Sequence, residues 1–225
     1  MPRFLAISVL CAALACSDPG RSPAADVPAT DVRRFSPDKK ASTPDVMLDA
    51  ADRGRVLGQD SARVWLIIVS DFQCPFCKTW HDETLPLIRA DYVETGKVRL
   101  AYINYPLRAH KHSVAAANAA MCASAQGRFW EAHDRIFAAQ DRWAAADDAV
   151  ATLDSLATVP GVEPQRLREC THSGRILRLI RADIDRSEKS AANSTPTFII
   201  GGHRIVGAAP IATFRAAIDS ALAGK

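Results

Sequence analysis

No apolar run in this chain is long enough to cross a bilayer as a helix. The longest, Phe4 to Ala15, has about 12 residues, against the roughly 20 that a span needs. The strongest run after it, Val64-Trp65-Leu66-Ile67-Ile68-Val69, is strand-sized. A basic cluster is missing as well. The 28 Lys and Arg are interspersed with 25 Asp and Glu, for a formal charge of +3. Nucleic-acid binders gather basic charge on one face, so no nucleic-acid partner is expected. Cysteine is scarce, with six residues at positions 11, 16, 74, 77, 122 and 170. Only one C-x-x-C pair occurs, and Cys122 and Cys170 are too far apart to form the second half of a zinc site. Haem attachment needs His directly after the second Cys, and that residue is Lys78. His110, His112, His133, His172 and His203 show no ligand spacing, and His81 reads as a surface residue of a helix. Neither a metal nor a cofactor is expected, and no internal repeat is present.

What is there begins with export chemistry. Arg3 followed by the apolar Phe4–Ala15 segment reads as a signal peptide over 1–15. Ala13-Leu14-Ala15 fits a signal-peptidase site. With Cys16 it also resembles a bacterial lipoprotein box, in which Cys16 is lipidated; Ala13 departs from the Leu usual there. Ser17 to Asp45 holds five of the 13 prolines and a single aromatic residue, Phe35, too little apolar surface to fold. Residues 16–45 therefore read as a disordered tether, and 46–225 as the folded domain. At 48% apolar residues the chain can build a sizeable core.

Within that domain, Arg63–Ser70 is a β-branched and aromatic run that reads as a buried strand. Pro75 to about Ala90 reads as a helix, kinked by Pro86, and Lys97–Asn104 as a second strand. Helical patterns then cover Ser113–Ala125, Arg128–Gln140, Asp147–Ala157 and about Gly174–Ala191. Phe129, Trp130 and Phe137 fall at helical spacing and read as core. Strand chemistry returns in Thr197–Ile200 and His203–Val206 around a Gly201-Gly202 turn, before a last helix from Pro210 to Leu222. The order is β-α-β, a helical block, then β-β-α: an α/β domain with a helical insertion over about 107–191.

Cys74-Pro75-Phe76-Cys77 sits where the first strand gives way to a helix. Unpaired N–H groups and the positive dipole end at a helix start favour an anion, so the Cys74 thiol should ionise readily. Cys77 follows one turn later on the same face, within bonding reach. Cys74 is the expected nucleophile and Cys77 the resolving thiol, with Lys78 adding a positive charge nearby. Ser194-Thr195-Pro196-Thr197 opens the late strand, where proline calls for an explanation. A cis Thr195–Pro196 bond would set that turn against the cysteines and expose the Thr195 backbone to a substrate strand.

Val69-Ser70-Asp71-Phe72-Gln73-Cys74-Pro75-Phe76-Cys77, Thr84-Leu85-Pro86, Tyr92-Val93 and Thr95-Gly96-Lys97-Val98 resemble the DsbA-like family of bacterial thiol–disulfide oxidoreductases. So do Ala119-Ala120-Met121-Cys122-Ala123, Gln126-Gly127-Arg128-Phe129-Trp130 and Thr195-Pro196-Thr197-Phe198. The resemblance covers nearly all of Val56–Ala223. It implies a thioredoxin fold with an inserted helical subdomain and disulfide exchange with cysteines of exported proteins. A membrane redox partner is implied to recycle the pair. By position, Cys74 is the nucleophile, Cys77 the resolving cysteine and Pro196 the cis proline. Some relatives carry a second pair in places similar to Cys122 and Cys170, which implies a structural disulfide here; two buried free thiols are the alternative. Relatives often have a buried acid where Ile68 stands, many have Gly-Thr before the proline instead of Ser194-Thr195, and oxidases with Cys-Pro-His-Cys have His where Phe76 stands. The net direction thus stays open between an oxidase and a reductase or isomerase. A non-enzymatic binding module is the rival from another class, and the intact C-x-x-C argues against it.

Overall fold

A computed structural model describes residues 45–224. The expected signal peptide, Cys16 and nearly all of the tether lie outside the described residues. Asp45, assigned to the tether, instead starts the domain. Its carboxylate accepts from Leu48 N to cap α1 (Val46–Gly54) and pairs with Arg175 and Arg178. β1 (Val56–Leu57) follows, too short to register as a pattern.

β2 (Val64–Ser70) leads into α2 (Pro75–Glu83). The single kinked helix expected to Ala90 is replaced by three pieces. The helix breaks at Thr84, restarts as α3 (Leu85–Ile88) and passes into a π-helical turn over Arg89–Val93. Pro86 thereby falls in a first turn, where its missing N–H leaves no hydrogen bond unmade. β3 (Val98–Asn104) precedes the insertion, which comprises α4 (Ser113–Ser124), α5 (Phe129–Ala138), α6 (Gln140–Ala144), α7 (Val150–Ala157), α8 (Pro164–Ser173) and α9 (Leu177–Lys189). α6 had no counterpart in the sequence reading, and α8, which carries Cys170, was given no bounds there. Glu163 caps α8 by accepting from Gln165 N and Arg166 N, and Gly174 closes it at φ +67°, so Gly174 ends one helix instead of opening the next. β4 (Thr197–Ile200), β5 (His203–Val206) and α10 (Ile211–Leu222) complete the chain.

The five strands form one mixed sheet in the order β1-β3-β2-β4-β5. β2 and β3 are parallel, pairing Ile68 with Tyr102 and Ser70 with Asn104; β4 runs antiparallel to β2, pairing Ile68 with Phe198. Alternation along these strands turns Leu66, Ile68, Leu100, Tyr102, Phe198 and Ile200 to one buried face. Trp80 of α2 and Phe214 of α10 pack there against Phe198, with ring centroids 4.6 and 4.8 Å away. That packing fixes α2, and hence the cysteines at its start, over the ends of β2 and β4.

Two further features tie the insertion down. α4 buries Ala116, Ala117, Ala119, Ala120 and Ala123, and these small side chains let α1, α5, α7 and α8 approach closely. At the α1–α4 contact a Cβ on Gly54 would come within 2.6 Å of the Ser124 carbonyl oxygen. The second feature is a buried ion pair. Arg55, beside β1, donates to Asp183 of α9, and Asn104 gives Asp183 both its backbone N–H and its side-chain N–H at 3.1 Å.

Candidate active site

Cys74 occupies the N-cap of α2, with Pro75 at the first helical position. The loop before it is held by side chains from elsewhere. The Asp71 carboxylate, fully buried, accepts from Gln73 N and Leu107 N at 2.8 Å and from His110 Nδ1 at 2.6 Å. Gln73 accepts from His112 N at 2.7 Å, and Gln140 of α6 donates to the carbonyls of Phe72 and Cys74 at 2.6 and 3.1 Å. The insertion thus clamps the backbone that presents the cysteines. Sequence reading missed these residues. Only Asp71 and Gln73 gave a signal, by lying inside the motif that carried the resemblance.

Both active-site thiols are free and buried, while Phe76 between them is 64% exposed. They differ sharply in acidity. The hydrogen bond from Cys77 is the largest influence on Cys74; with contributions from Thr195 and from the backbone N–H groups of Cys77 and Phe76, it outweighs burial and lowers Cys74 to about 6. Burial, reinforced by the hydrogen bond and the charge of Cys74, pushes Cys77 well above the ordinary thiol range. The structure therefore holds one thiol ready to ionise and the other protonated. Lys78, expected to help, does not face Cys74 as its partner: its ammonium pairs with Asp82 at 2.7 Å.

The Thr195–Pro196 peptide bond is cis, and it brings the Thr195 carbonyl to 3.5 Å from Cys74 Sγ. The Thr195 hydroxyl is buried and otherwise unpartnered, beside a sulfur to which it can donate once the thiolate forms. Cys122 of α4 and Cys170 of α8 are joined by a disulfide within the insertion. Ile68 is buried on the core face, between Tyr102 and Phe198 in register.

One histidine grouping was not foreseen. His81, read as a surface residue, lies in α2 with His133 and Asp134 of α5, their ligand atoms within 4.8 Å of one another. Arg89 already donates to both Asp134 oxygens, at 2.6 and 3.0 Å. Burial lowers His133 to about 4, so it stays neutral among Phe72, Phe129 and Phe137. The guanidinium fills the place of a cation, and the group reads as a bolt between α2 and the insertion.

Comparison with known proteins agrees with this geometry. A family model described as Thioredoxin matches residues 50–220. A probable disulfide bond formation protein D of Bacillus anthracis is 29% identical over 150 residues, which is 65% of this chain and 69% of that protein. Oxidised BdbD of Bacillus subtilis superimposes with a TM-score of 0.70 at 26% identity, covering 76% of this chain and 95% of that one. DsbA2 of Pseudomonas aeruginosa gives 0.59 at 27% identity, over 74% and 92% of the two chains. The chain belongs to the thioredoxin family, in its DsbA-like group, and is a thiol–disulfide oxidoreductase.

Proposed function

We propose that this protein is exported and passes a Cys74–Cys77 disulfide to cysteines of extracytoplasmic proteins, with a membrane redox partner restoring it. The observation that carries the reading is the opposed acidity of the pair, Cys74 near 6 and Cys77 far above it. A thiolate stabilised at the nucleophile lowers the reduced state of the pair and favours giving the disulfide away. That supports the oxidase direction over a reductase or isomerase. A substrate thiolate attacks the Cys74 sulfur, the mixed disulfide forms and Cys77 leaves. A second substrate thiolate then displaces Cys74, whose thiolate is a good leaving group at neutral pH. The exposed Phe76 and the Thr195 backbone flank the sulfur at which a partner must arrive. No cofactor takes part.

The reading is tested by Cys77→Ser, which should accumulate mixed disulfides with exported proteins through Cys74. Failure to trap any, in a folded variant expressed in an exporting host, would reject it. The segment before the domain supports a second component: lipidation at Cys16 would hold the domain off a membrane by the tether. A lipoprotein-type Cys16 carries several chains, enough for stable anchoring. Wild type should then pellet with membranes, and Cys16→Ala should be released with thiol activity unchanged. A wild-type protein without lipid mass on residue 16 leaves plain signal cleavage.

A further inference from the structure

Tyr102 carries a polar group for which the fold has no use. Its side chain is 1% exposed, with ring centroids of Phe72, Phe129 and His133 each 5.2 Å away. Yet its hydroxyl has no hydrogen-bond partner. Tyr92, also buried, by contrast donates to Asp219 at 3.1 Å. A buried hydroxyl left unpaired is a standing cost, and phenylalanine would fill the same space without it.

Its location suggests why it is there. Tyr102 lies across the parallel β2–β3 pairing from Ile68, and Ile68, Ser70 and Tyr102 share the sheet face beneath α2. The Ser70 hydroxyl is near enough to act on both the Cys77 thiol and the Tyr102 hydroxyl, yet the latter is left without a full hydrogen bond. Of the charges around the Tyr102 hydroxyl, that of Cys77 bears on it most. Ile68 supplies no carboxylate at this spot.

The geometry points to Tyr102 as a positioning residue for the resolving step, its hydroxyl joining that of Ser70 as a donor pair for the negative charge that develops on Cys77. The inference rests on the Cys74–Cys77 exchange proposed above. In a mixed disulfide, Cys74 is bonded to a partner sulfur. Cys77 gives up its proton, and its sulfur attacks Cys74. The Cys74–Cys77 bond forms and the Cys74–partner bond breaks. The partner sulfur leaves with the electron pair and takes up a proton, so one thiol is consumed and one produced. During that exchange Cys77 is a buried anion. Donors held in place before the charge appears stabilise it without reorganisation, and hydrogen bonds to an anion are stronger than neutral ones. The Tyr102 hydroxyl stays idle in the dithiol and is engaged only as charge develops.

Other groups face the pair. Asp71 and Cys74 approach from the loop and from the start of α2, Ser70 from β2 and His133 from α5. His133 is neutral above about 4, so a profile taken between pH 6 and 9 reads the thiols.

The test is Tyr102→Phe in the otherwise unchanged protein. Reduced protein is mixed rapidly with oxidised glutathione, and attack by Cys74 is separated from resolution by Cys77. Resolution should slow about tenfold, the weight of one hydrogen bond to an anion, and its pH dependence should move up by about one unit. Attack by Cys74 and its alkylation profile should be unchanged. The melting temperature should hold or rise, since an unpaired hydroxyl is removed. Ser70→Ala should slow resolution in the same direction. Unchanged resolution and pH profile in folded Tyr102→Phe would overturn the inference while leaving the exchange intact. Failure of Cys77→Ser to trap mixed disulfides would instead remove the exchange on which it rests.

Discussion

Cys74 is acidic chiefly because Cys77 donates a hydrogen bond to it. Replacing Cys77 by Ala removes that donor and leaves the helix start in place. A hydrogen bond to an ion contributes about 1.5–3 kcal/mol, and 1.36 kcal/mol corresponds to one pKa unit. Cys74 should therefore move from about 6 to roughly 7–8 in Cys77→Ala. The sign follows from the donor's preference for the thiolate: without it the charged form is less stable and the titration shifts upward. At pH 6 the thiolate fraction should fall from about half to roughly 1–10%. Cys77→Ser keeps a hydroxyl donor and should titrate between wild type and the Ala variant. The assay is the rate of iodoacetamide alkylation of Cys74 across pH 4–9. A Cys77→Ala protein still titrating near 6 would refute the reasoning and shift the weight to the backbone N–H groups of Phe76 and Cys77.

Three further outcomes follow from the packing. Cys122 and Cys170 are 48 residues apart in sequence, and closing that loop is worth about 4 kcal/mol in the chain-entropy model, so replacing both by Ala should lower the melting temperature by roughly 8–16 °C. A fall of under 2 °C would show that the loop is restrained without it. Asp183→Asn leaves Arg55 buried beside a neutral amide and should cost about 3 kcal/mol in denaturant unfolding, with Asp52 as the one remaining carboxylate on Arg55. A change below 1 kcal/mol would mean that water relieves the guanidinium. Gly54→Ala should destabilise by about 1–3 kcal/mol despite alanine's better helix propensity, because its Cβ meets the Ser124 backbone; a stabilised variant would show that α1 and α4 can separate freely.

The sequence by itself determined the parts of this protein that are local. A β-branched run ending at a C-x-x-C with proline at the first helical position fixes a strand, a helix start and a nucleophile within a dozen residues. Periodicity alone found most of the insertion. It did not bound α6 or α8, because five residues give no period and α8 is polar along most of its length, with only Leu167 and Cys170 buried. Pro86 signalled a disturbance in α2 but not its form, since breaking at Thr84 and continuing as a π-helical turn depends on what α3 packs against.

Tertiary structure decided how acidic each thiol is and what holds the pair in place. Asp71 is joined to His110, 39 residues on, and Gln140 reaches back 66 residues to the Cys74 carbonyl. His81 meets His133 and Asp134 across 53 residues of chain. Tyr102 comes opposite Ile68, on the sheet face beneath α2, only through the parallel pairing of β2 with β3. None of these pairs has a spacing that a helix or strand would impose. They exist because the insertion folds back on the start of α2, and burial there makes every polar group consequential. A motif names the sulfur atoms; the surroundings that charge one and keep the proton on the other belong to the fold.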